Sequence, residues 1–172
     1  MSMTRNFALT ALLSALLFPL PLFAADPLPT PTGDVILTIS GNITQTNVDG
    51  TAQFDLDMLK AMESKTIDTS TTWTDGVHHY TGVSLKSLLE RVGAAGSAIE
   101  VTALNDYTIS IPQDDWNSGD SIIAYLDDGQ PMSIRDKGPL WIMYPFDDFK
   151  KYQTEAAYSR SVWQLDRIKV TD

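Results

Sequence analysis

The sequence predicts an α+β fold, built around a mixed β-sheet or partial barrel with two or three short helices. From residue 97 onward, apolar residues alternate with polar ones or form short runs of β-formers, a pattern typical of strands. One earlier segment has the apolar spacing of an amphipathic helix, and clusters of glycine, asparagine and aspartate separate the elements. A chain of 172 residues is long enough for one domain with a core of its own.

The N-terminal residues have the pattern of a secretory signal peptide over residues 1–24. Arg5 gives a short positive segment, and the apolar stretch that follows ends in two prolines and the small residue Ala24. That stretch is too short and too interrupted by proline to span a membrane. We therefore expect export to the periplasm, with residues 25–33 as a proline-rich tether and residues 34–172 as the folded domain.

The first half of the domain is predicted to contain two helices among its strands. A run of β-formers at residues 35–41 predicts the first strand, and Asn-Val-Asp-Gly at residues 47–50 predicts a turn. Asp55 and Ser84 each precede an amphipathic segment, so both are candidates for helix N-caps. The second helix is predicted to end at Gly93. Its apolar side chains fall at i, i+3, i+4 and i+7: Leu85, Leu88, Leu89 and Val92.

Strands are predicted for most of the remaining chain. The segments with a strand pattern are residues 67–74, 99–103, 107–111, 122–126, 140–144, 161–165 and 167–170. Asp-Asp-Gly-Gln-Pro at residues 127–131 predicts a turn. Residues 148–157 lack the strand pattern, so we expect a helical or irregular stretch there.

Composition limits the possible partners. The formal net charge of −10, from 12 basic and 22 acidic residues, disfavours nucleic acid and anionic membrane surfaces. Seven of the basic residues lie between positions 135 and 169, which fits either a positive pocket or ordinary solvated charges. The sequence has no cysteine, so disulfides are excluded and the core alone must hold the fold.

Four segments of the sequence resemble landmark segments of the sulfite oxidase-type molybdopterin-binding fold, and they occur in the same order as in that fold. Residues 138–145 read Gly-Pro-Leu-Trp-Ile-Met-Tyr-Pro, a turn followed by a short apolar strand and the proline that ends it. The other landmarks are residues 73–76, 82–89 and 103–112. Within this fold, the sequence most closely resembles the small exported pterin-binding proteins that lack molybdenum.

The resemblance implies a pterin ligand and a mixed sheet or partial barrel of the sulfite oxidase type. Enzymes of the wider family hold molybdenum through one cysteine thiolate, which this sequence cannot supply. We therefore expect no molybdenum, no metal ligands and no catalytic activity. The small exported members are understood to sense pterins and to regulate a membrane enzyme of cyclic-di-GMP turnover. The implied partner is the periplasmic domain of such a membrane-bound signalling enzyme.

A pterin is a flat, polar bicyclic ring system. Its binding site therefore needs aromatic side chains that stack on the ring, a carboxylate that accepts from the amide and amino groups at one edge, and hydrogen-bond donors for the ring nitrogens and carbonyl. The sequence places residues of each type near predicted strand ends. The stacking candidates are Trp73, Tyr107, Tyr144 and Phe146, the carboxylates are Asp106 and Asp147, the donors are Arg135 and Arg160, and Asn105 lies beside them at the predicted mouth.

Several candidates also have a structural interpretation. Asp147 can cap a following helix, residues 105–106 can form a β-turn, and Arg160 can pair with a carboxylate. Trp141 and Trp163 lie inside apolar alternation, so both are expected in the core.

Other functions have less support from the sequence. The alternative is an oxidoreductase or a cofactor-binding subunit of a molybdopterin enzyme, and a third possibility is an interaction domain with a closed pocket. His78 and His79, the two histidines, point to opposite faces of a strand and cannot share a metal. Paired aspartates such as those at residues 127–128 lack the spacing of a calcium loop, so we interpret them as solvated turns.

Overall fold

The structure, a computed structural model, describes residues 26–172. The predicted signal peptide, residues 1–24, lies outside the described residues. The elements in chain order are β1 (Leu37–Gly41), β2 (Ala52–Phe54), α1 (Leu56–Lys60), β3 (Ser64–Ser70), β4 (Val77–Ser84), α2 (Leu85–Arg91), β5 (Ala98–Ala103), β6 (Thr108–Pro112), α3 (Gln113–Trp116), β7 (Ile122–Asp127), β8 (Gln130–Pro131), β9 (Trp141–Met143), a 3-10 helix (Lys150–Tyr152), α4 (Glu155–Arg160) and β10 (Leu165–Thr171).

The strands form two five-stranded sheets. The first has the order β2-β1-β10-β5-β6, in which β1 and β10 run parallel and the other neighbours antiparallel. The second has the order β3-β4-β7-β8, and β9 also pairs with β7, all antiparallel. Neither sheet closes into a barrel within residues 26–172. The predicted α+β class with a mixed sheet and short helices is confirmed.

The two helix N-caps read from the sequence are confirmed. The Asp55 carboxylate accepts a hydrogen bond from Met58 N at 2.8 Å, and Ser84 Oγ accepts one from Ser87 N at 3.4 Å. α2 buries the apolar face predicted for it, and the chain leaves it through Gly93, whose φ of +63° is the left-handed conformation that glycine adopts without strain. No helix among the described residues is long and apolar enough to cross a bilayer.

The predicted tether packs against the domain. The amides of Thr32 and Gly33 donate to the Asp55 carboxylate at 2.8 and 2.9 Å, and Leu28 is buried in the core. The same carboxylate therefore caps α1 and holds the segment before β1. The proline-rich composition predicted a stiff polar segment. Composition alone could not show that the buried Asp55 carboxylate accepts hydrogen bonds from this segment.

The C-terminal prediction is wrong in part. Residues 161–165 and 167–170 were expected to form two strands, but the structure has the single strand β10, and residues 161–164 instead connect α4 to it. Gln164 has a φ of +53°, which interrupts an extended chain. The short helix α3 was not expected, because its four residues are too few to show helical periodicity.

Apolar side chains from both sheets and from α2 form one core. Ile39 and Ile168 come from β1 and β10, and Val83 and Ile123 come from β4 and β7; all four are fully buried. This core fixes the three segments that enclose the site described next: the loop after β3, the β5–β6 turn, and α4 with the residues that follow it.

Candidate ligand-binding site

An aromatic cavity of about 380 Å³ opens where these three segments meet. It contains three of the residues proposed from the sequence, Trp73, Asn105 and Tyr107. The full lining consists of Trp73, Asn105, Tyr107, Glu155, Tyr158, Ser159, Ser161, Val162 and Trp163. In the following, "the aromatic cavity" refers to this set.

Trp73 is the centre of the aromatic side chains around the cavity. Its ring centroid lies 5.7 Å from that of Trp163 and 5.8 Å from those of Tyr158 and Trp141, each pair in an edge-to-face arrangement. Such pairs are favourable because the positive edge of one ring meets the negative face of the other. The loop is fixed locally by Thr71, whose Oγ1 accepts a hydrogen bond from Trp73 N at 3.1 Å. Trp73 therefore packs against the buried ring of Trp141 and also lines the cavity.

Trp163 corrects an expectation. It was predicted in the core, yet 38% of its surface is exposed and it lines the cavity. The apolar alternation around it does not mark a strand, because the chain there is the irregular link between α4 and β10. Trp141 was also predicted in the core and is fully buried, with its indole N–H donating to Ser161 O at 3.0 Å.

Asn105, Asp106 and Tyr107 form the turn between β5 and β6, and only two of them line the cavity. Asn105 Oδ1 accepts a hydrogen bond from Tyr107 N at 3.1 Å, and Asp106 has a φ of +63°. Tyr107 reaches across the mouth, where its hydroxyl donates to Ser159 O at 3.2 Å. The Asp106 carboxylate is directed elsewhere, to the guanidinium of Arg167 at 2.6 Å. The β-turn interpretation is thus confirmed for this segment.

Tyr144 and Phe146 are buried and do not line the cavity. The Tyr144 hydroxyl donates to Asp115 Oδ2 at 3.3 Å, and burial raises the pKa of this phenol well above its ordinary value. Phe146 packs against the ring of Tyr158 at 5.0 Å and that of Trp73 at 6.4 Å. It therefore supports the wall of the cavity from the core side.

The remaining candidates have other contacts. Asp147 accepts hydrogen bonds from Ser70 N at 2.6 Å and Ser70 Oγ at 2.8 Å, which tie the loop after β9 to the end of β3. Arg160 donates to Asp115 Oδ2 at 2.8 Å, so the interpretation of a carboxylate partner is confirmed. Arg135 lies exposed in the loop between β8 and β9. None of these three side chains lines the aromatic cavity.

Helix α4 supplies three of the lining residues that the sequence analysis did not propose. Glu155, Tyr158 and Ser159 are spaced i, i+3 and i+4, so they share one face of the helix and line the cavity together. Thr154 caps the helix by accepting a hydrogen bond from Ala157 N at 3.2 Å. The Thr154-Glu155 pair is a helix-start signal that could have placed Glu155 on this face.

A second cavity of about 410 Å³ lies between the N-terminal segment and α1. Leu28, Met58 and Met62 make its lining largely aliphatic, and the aromatic residue in it, Phe54, is buried. The Asp55 carboxylate there already accepts three backbone N–H groups. The aromatic cavity offers both stacking faces and polar groups, which makes it the candidate ligand site.

Comparison with known protein families places the fold. Residues 34–171 match the model of the oxidoreductase molybdopterin binding domain. The chain belongs to this family. The predicted resemblance to the sulfite oxidase-type fold is thereby confirmed, and membership in a molybdopterin-binding domain family implies a pterin-type ligand.

Among solved structures, this molybdopterin-binding domain is similar to the sulfane dehydrogenase SoxCD from Paracoccus pantotrophus, with a TM-score of 0.56 and 15% identity. The match covers 79% of this chain and 38% of that chain, so the domain corresponds to a minor part of the larger protein. At this identity the likeness shows the fold alone. No match was found among curated proteins.

The lining of this molybdopterin-binding domain fits a pterin. A volume of about 380 Å³ suits a small planar ligand, Trp73 and Trp163 provide aromatic surface, and the Asn105 amide offers both a donor and an acceptor. Glu155 supplies a carboxylate. The lining does not fit thiolate-held molybdenum, because the sequence contains no cysteine.

Proposed function

We propose that this protein is a periplasmic pterin-binding sensor that holds its pterin in the aromatic cavity without molybdenum and without catalysis. The observation that carries the proposal is the joint presence of Trp73, Trp163 and Glu155 in one cavity of a molybdopterin-binding domain. The proposed relay to a membrane-bound enzyme of cyclic-di-GMP turnover rests on the sequence resemblance to small exported pterin-binding proteins.

Recognition would combine stacking with one charged contact. The pterin ring packs against the exposed surfaces of Trp73 and Trp163, as bases stack on aromatic side chains in nucleic-acid-binding proteins. Glu155 then accepts hydrogen bonds from the ring amide and the exocyclic amino group. This role was assigned to Asp106 and Asp147 from the sequence, but both carboxylates have other partners in the structure.

The charge of the cavity favours an unphosphorylated pterin. Among the described residues that line it, none is lysine or arginine, and Glu155 adds a negative charge. A phosphate group would enter without a cation to pair with it, at an unfavourable electrostatic free energy. A pterin with a short hydroxylated side chain avoids this repulsion and can use the hydroxyls of Ser159 and Tyr107.

The test is a calorimetric titration of the protein with oxidised and tetrahydro forms of neopterin. We expect 1:1 binding to the parent, and Glu155→Gln should lose about 1.5–3 kcal/mol of binding free energy, the value of a hydrogen bond to a charged group. Glu100→Gln is the matched control, because Glu100 is likewise exposed and lies outside the cavity. If neither pterin binds the parent, the proposed function is wrong.

Absence of molybdenum is tested by elemental analysis of protein purified from the periplasm. We expect a bound pterin, visible by its blue fluorescence, and no stoichiometric molybdenum. About one molybdenum per chain would favour the alternative, an oxidoreductase or a cofactor-binding subunit of one, which the family description also allows. Comparing fluorescence with metal content in the same sample separates the two functions.

A further inference from the structure

His78 lies outside the aromatic cavity, on β4, beside the tight turn that joins β7 and β8. Its Nδ1 atom is 2.7 Å from Asp127 Oδ1 and 3.3 Å from Asp128 Oδ2. One ligand atom from each of the three residues lies within 4.8 Å of the others. The turn interpretation of the Asp127-Asp128 pair is confirmed, but the pair faces an imidazole across the sheet.

Backbone pairing holds these side chains in place. The antiparallel register sets Tyr80 of β4 opposite Asp127 of β7. Asp128, with a φ of +47°, donates its N–H to His79 O at 3.0 Å and accepts the His79 N–H on Oδ1 at 3.0 Å. Asp128 is therefore fixed by one carboxylate oxygen, while its other oxygen, Oδ2, faces His78.

The far side of the His78 ring has its own partner. Nε2 lies 3.2 Å from Asp75 O, and the ring stacks on Tyr80 with centroids 5.9 Å apart and planes 14° apart. Backbone carbonyl and carboxylate oxygens only accept hydrogen bonds, so the imidazole donates from Nε2 to Asp75 O and from Nδ1 to Asp127 Oδ1. A metal ion would replace the proton on Nδ1, because metal ligands bind in their deprotonated form. Metal-bound histidines are commonly oriented in this way by a carbonyl behind the ring.

We propose that His78, Asp127 and Asp128 form a binding site for a divalent transition metal ion, with zinc as the best fit. One imidazole nitrogen and two carboxylate oxygens are ligands that zinc accepts, whereas calcium prefers oxygen ligands alone. Ligands at about 2.0–2.1 Å from a tetrahedral zinc lie roughly 3.3–3.4 Å apart. The His78–Asp128 separation of 3.3 Å already matches, and Asp127 has to move outward by a small rotation.

The expectation of no metal site rested on the missing cysteine, the two adjacent histidines and the spacing of the paired aspartates, each considered separately, and the two histidine rings do diverge. His79 pairs with Asp68 on the other face of the sheet, with Nδ1 and Oδ1 2.7 Å apart. The two carboxylates that face His78 come from the end of β7 and the turn after it, and Asp127 is 49 positions away from His78 in the chain. Their proximity depends on the β4–β7 register, which local sequence patterns do not show.

Zinc titration of untagged, metal-free protein tests the proposal, with calorimetry for stoichiometry and thermal melting for linked stability. We expect one zinc per chain and a higher melting temperature with zinc. His78→Ala and Asp127→Asn should each weaken binding at least about tenfold, since even residues that only orient metal ligands have effects of this size. His79→Ala is the matched control: it removes the neighbouring imidazole, which faces a single carboxylate, and should keep parental affinity.

Three outcomes would overturn the metal site. They are no zinc uptake at micromolar concentrations, equal affinity in the parent and His78→Ala, or an equal loss in His79→Ala. The first outcome would identify the cluster as an ion pair between a protonated histidine and two aspartates. Asp127→Asn keeps the shape of the side chain, so it decides the question if His78→Ala does not fold.

Discussion

Trp73 and Trp163 stand edge to face, with ring centroids 5.7 Å apart and planes inclined by 73°. Trp73 comes from the loop after β3, and Trp163 comes from the link between α4 and β10. Together they form the aromatic wall of the cavity. Both rings pack edge to face against the buried Trp141, at 5.8 Å from Trp73 and 6.5 Å from Trp163. Within residues 26–172, Trp73 packs in addition against Tyr158 and Phe146, which Trp163 does not. The two tryptophans therefore contribute differently to stability and to ligand binding.

Trp163→Ala is expected to weaken neopterin binding and to lower the melting temperature less than Trp73→Ala does. Loss of one stacking surface costs on the order of 1–3 kcal/mol, a roughly tenfold to hundredfold increase in Kd. The melting temperature should fall only moderately, because 38% of Trp163 is exposed and its ring has fewer aromatic neighbours than that of Trp73. Trp73→Ala should lower both affinity and melting temperature. Parental affinity in Trp163→Ala would move the ligand away from this wall.

Asp147→Ala is expected to lower stability without changing pterin affinity. The carboxylate holds the amide and hydroxyl of Ser70, and exposed charge-assisted hydrogen bonds of this kind contribute about 1 kcal/mol to the free energy of unfolding. Asp148→Ala removes the exposed neighbouring carboxylate and serves as the control. Denaturant unfolding and pterin titration would be measured on both variants. A large loss of affinity confined to Asp147→Ala would restore Asp147 as the pterin carboxylate.

Arg160→Met is expected to destabilise the protein through Asp115. The Arg160 side chain is 27% exposed and that of Asp115 is 11% exposed, so the variant leaves a largely buried carboxylate with only the hydroxyl of Tyr144 as donor. Asp115 Oδ1 already lacks a hydrogen-bond partner among the described residues. The expected cost is on the order of 2 kcal/mol, or a fall of roughly 4–8 °C in melting temperature.

The double variant Arg160→Met with Asp115→Asn separates the charge effect from the packing effect. Asparagine carries no charge to be buried, so the double variant should recover part of the lost stability. Pterin affinity should stay near the parental value in both variants, because Arg160 faces away from the aromatic cavity. No recovery in the double variant would show that the ion pair is not the cause.

Local rules predicted local structure well. Asp55 and Ser84 cap α1 and α2, and the turn at Asp49 and Gly50 adopts positive φ angles of 45° and 75°. These features depend on a few adjacent residues, whose backbone preferences are strong. The order of the landmark segments was also sufficient to identify the fold, which the family match confirms.

The site was predicted less completely because a cavity is made by segments far apart in the chain. Tyr144 and Trp163 illustrate this: both sit in apolar stretches, yet the first is fully buried and the second lines the cavity. Periodicity reports which side of a strand a residue occupies, but it does not report what covers that side. Glu155 was missed for a related reason, since its helix was predicted only as a helical or irregular stretch.

Asp55 should make stability depend on pH in the acid range. Hydrogen bonds from the backbone N–H groups of Gly33, Met58 and Thr32 lower the pKa of Asp55 from its ordinary value of 3.8. The unfolded chain therefore binds a proton more readily than the folded protein. This stabilisation is fully present above pH values near 4 and is lost as the pH falls through the lowered pKa of the folded state.

Melting temperatures measured between pH 2 and pH 7, about the range over which carboxylates titrate, would test the role of Asp55. Asp55→Asn keeps a side-chain acceptor for the cap but has no carboxylate to protonate, so it should show a weaker acid dependence than the parent. Asp57→Asn, in the first turn of the same helix, removes a carboxylate charge without these hydrogen bonds and is the control. Identical acid profiles for Asp55→Asn and the parent would contradict the assignment.

The proposed sensor role predicts that pterin and the membrane partner strengthen each other's binding. If the pterin-loaded protein binds the partner's periplasmic domain more tightly, thermodynamic linkage requires the partner to raise pterin affinity by the same factor. Allosteric couplings typically amount to about 1–3 kcal/mol, or roughly 5–150-fold. Pterin titrations with and without the purified periplasmic domain measure this factor directly, and titrating the domain with and without pterin must return the same value.

Trp163→Ala, loaded at a pterin concentration that compensates for its weaker affinity, should keep the coupling if the partner binds a surface distinct from the cavity. Equal pterin affinities in the presence and absence of the partner would remove the regulatory role and leave pterin binding intact.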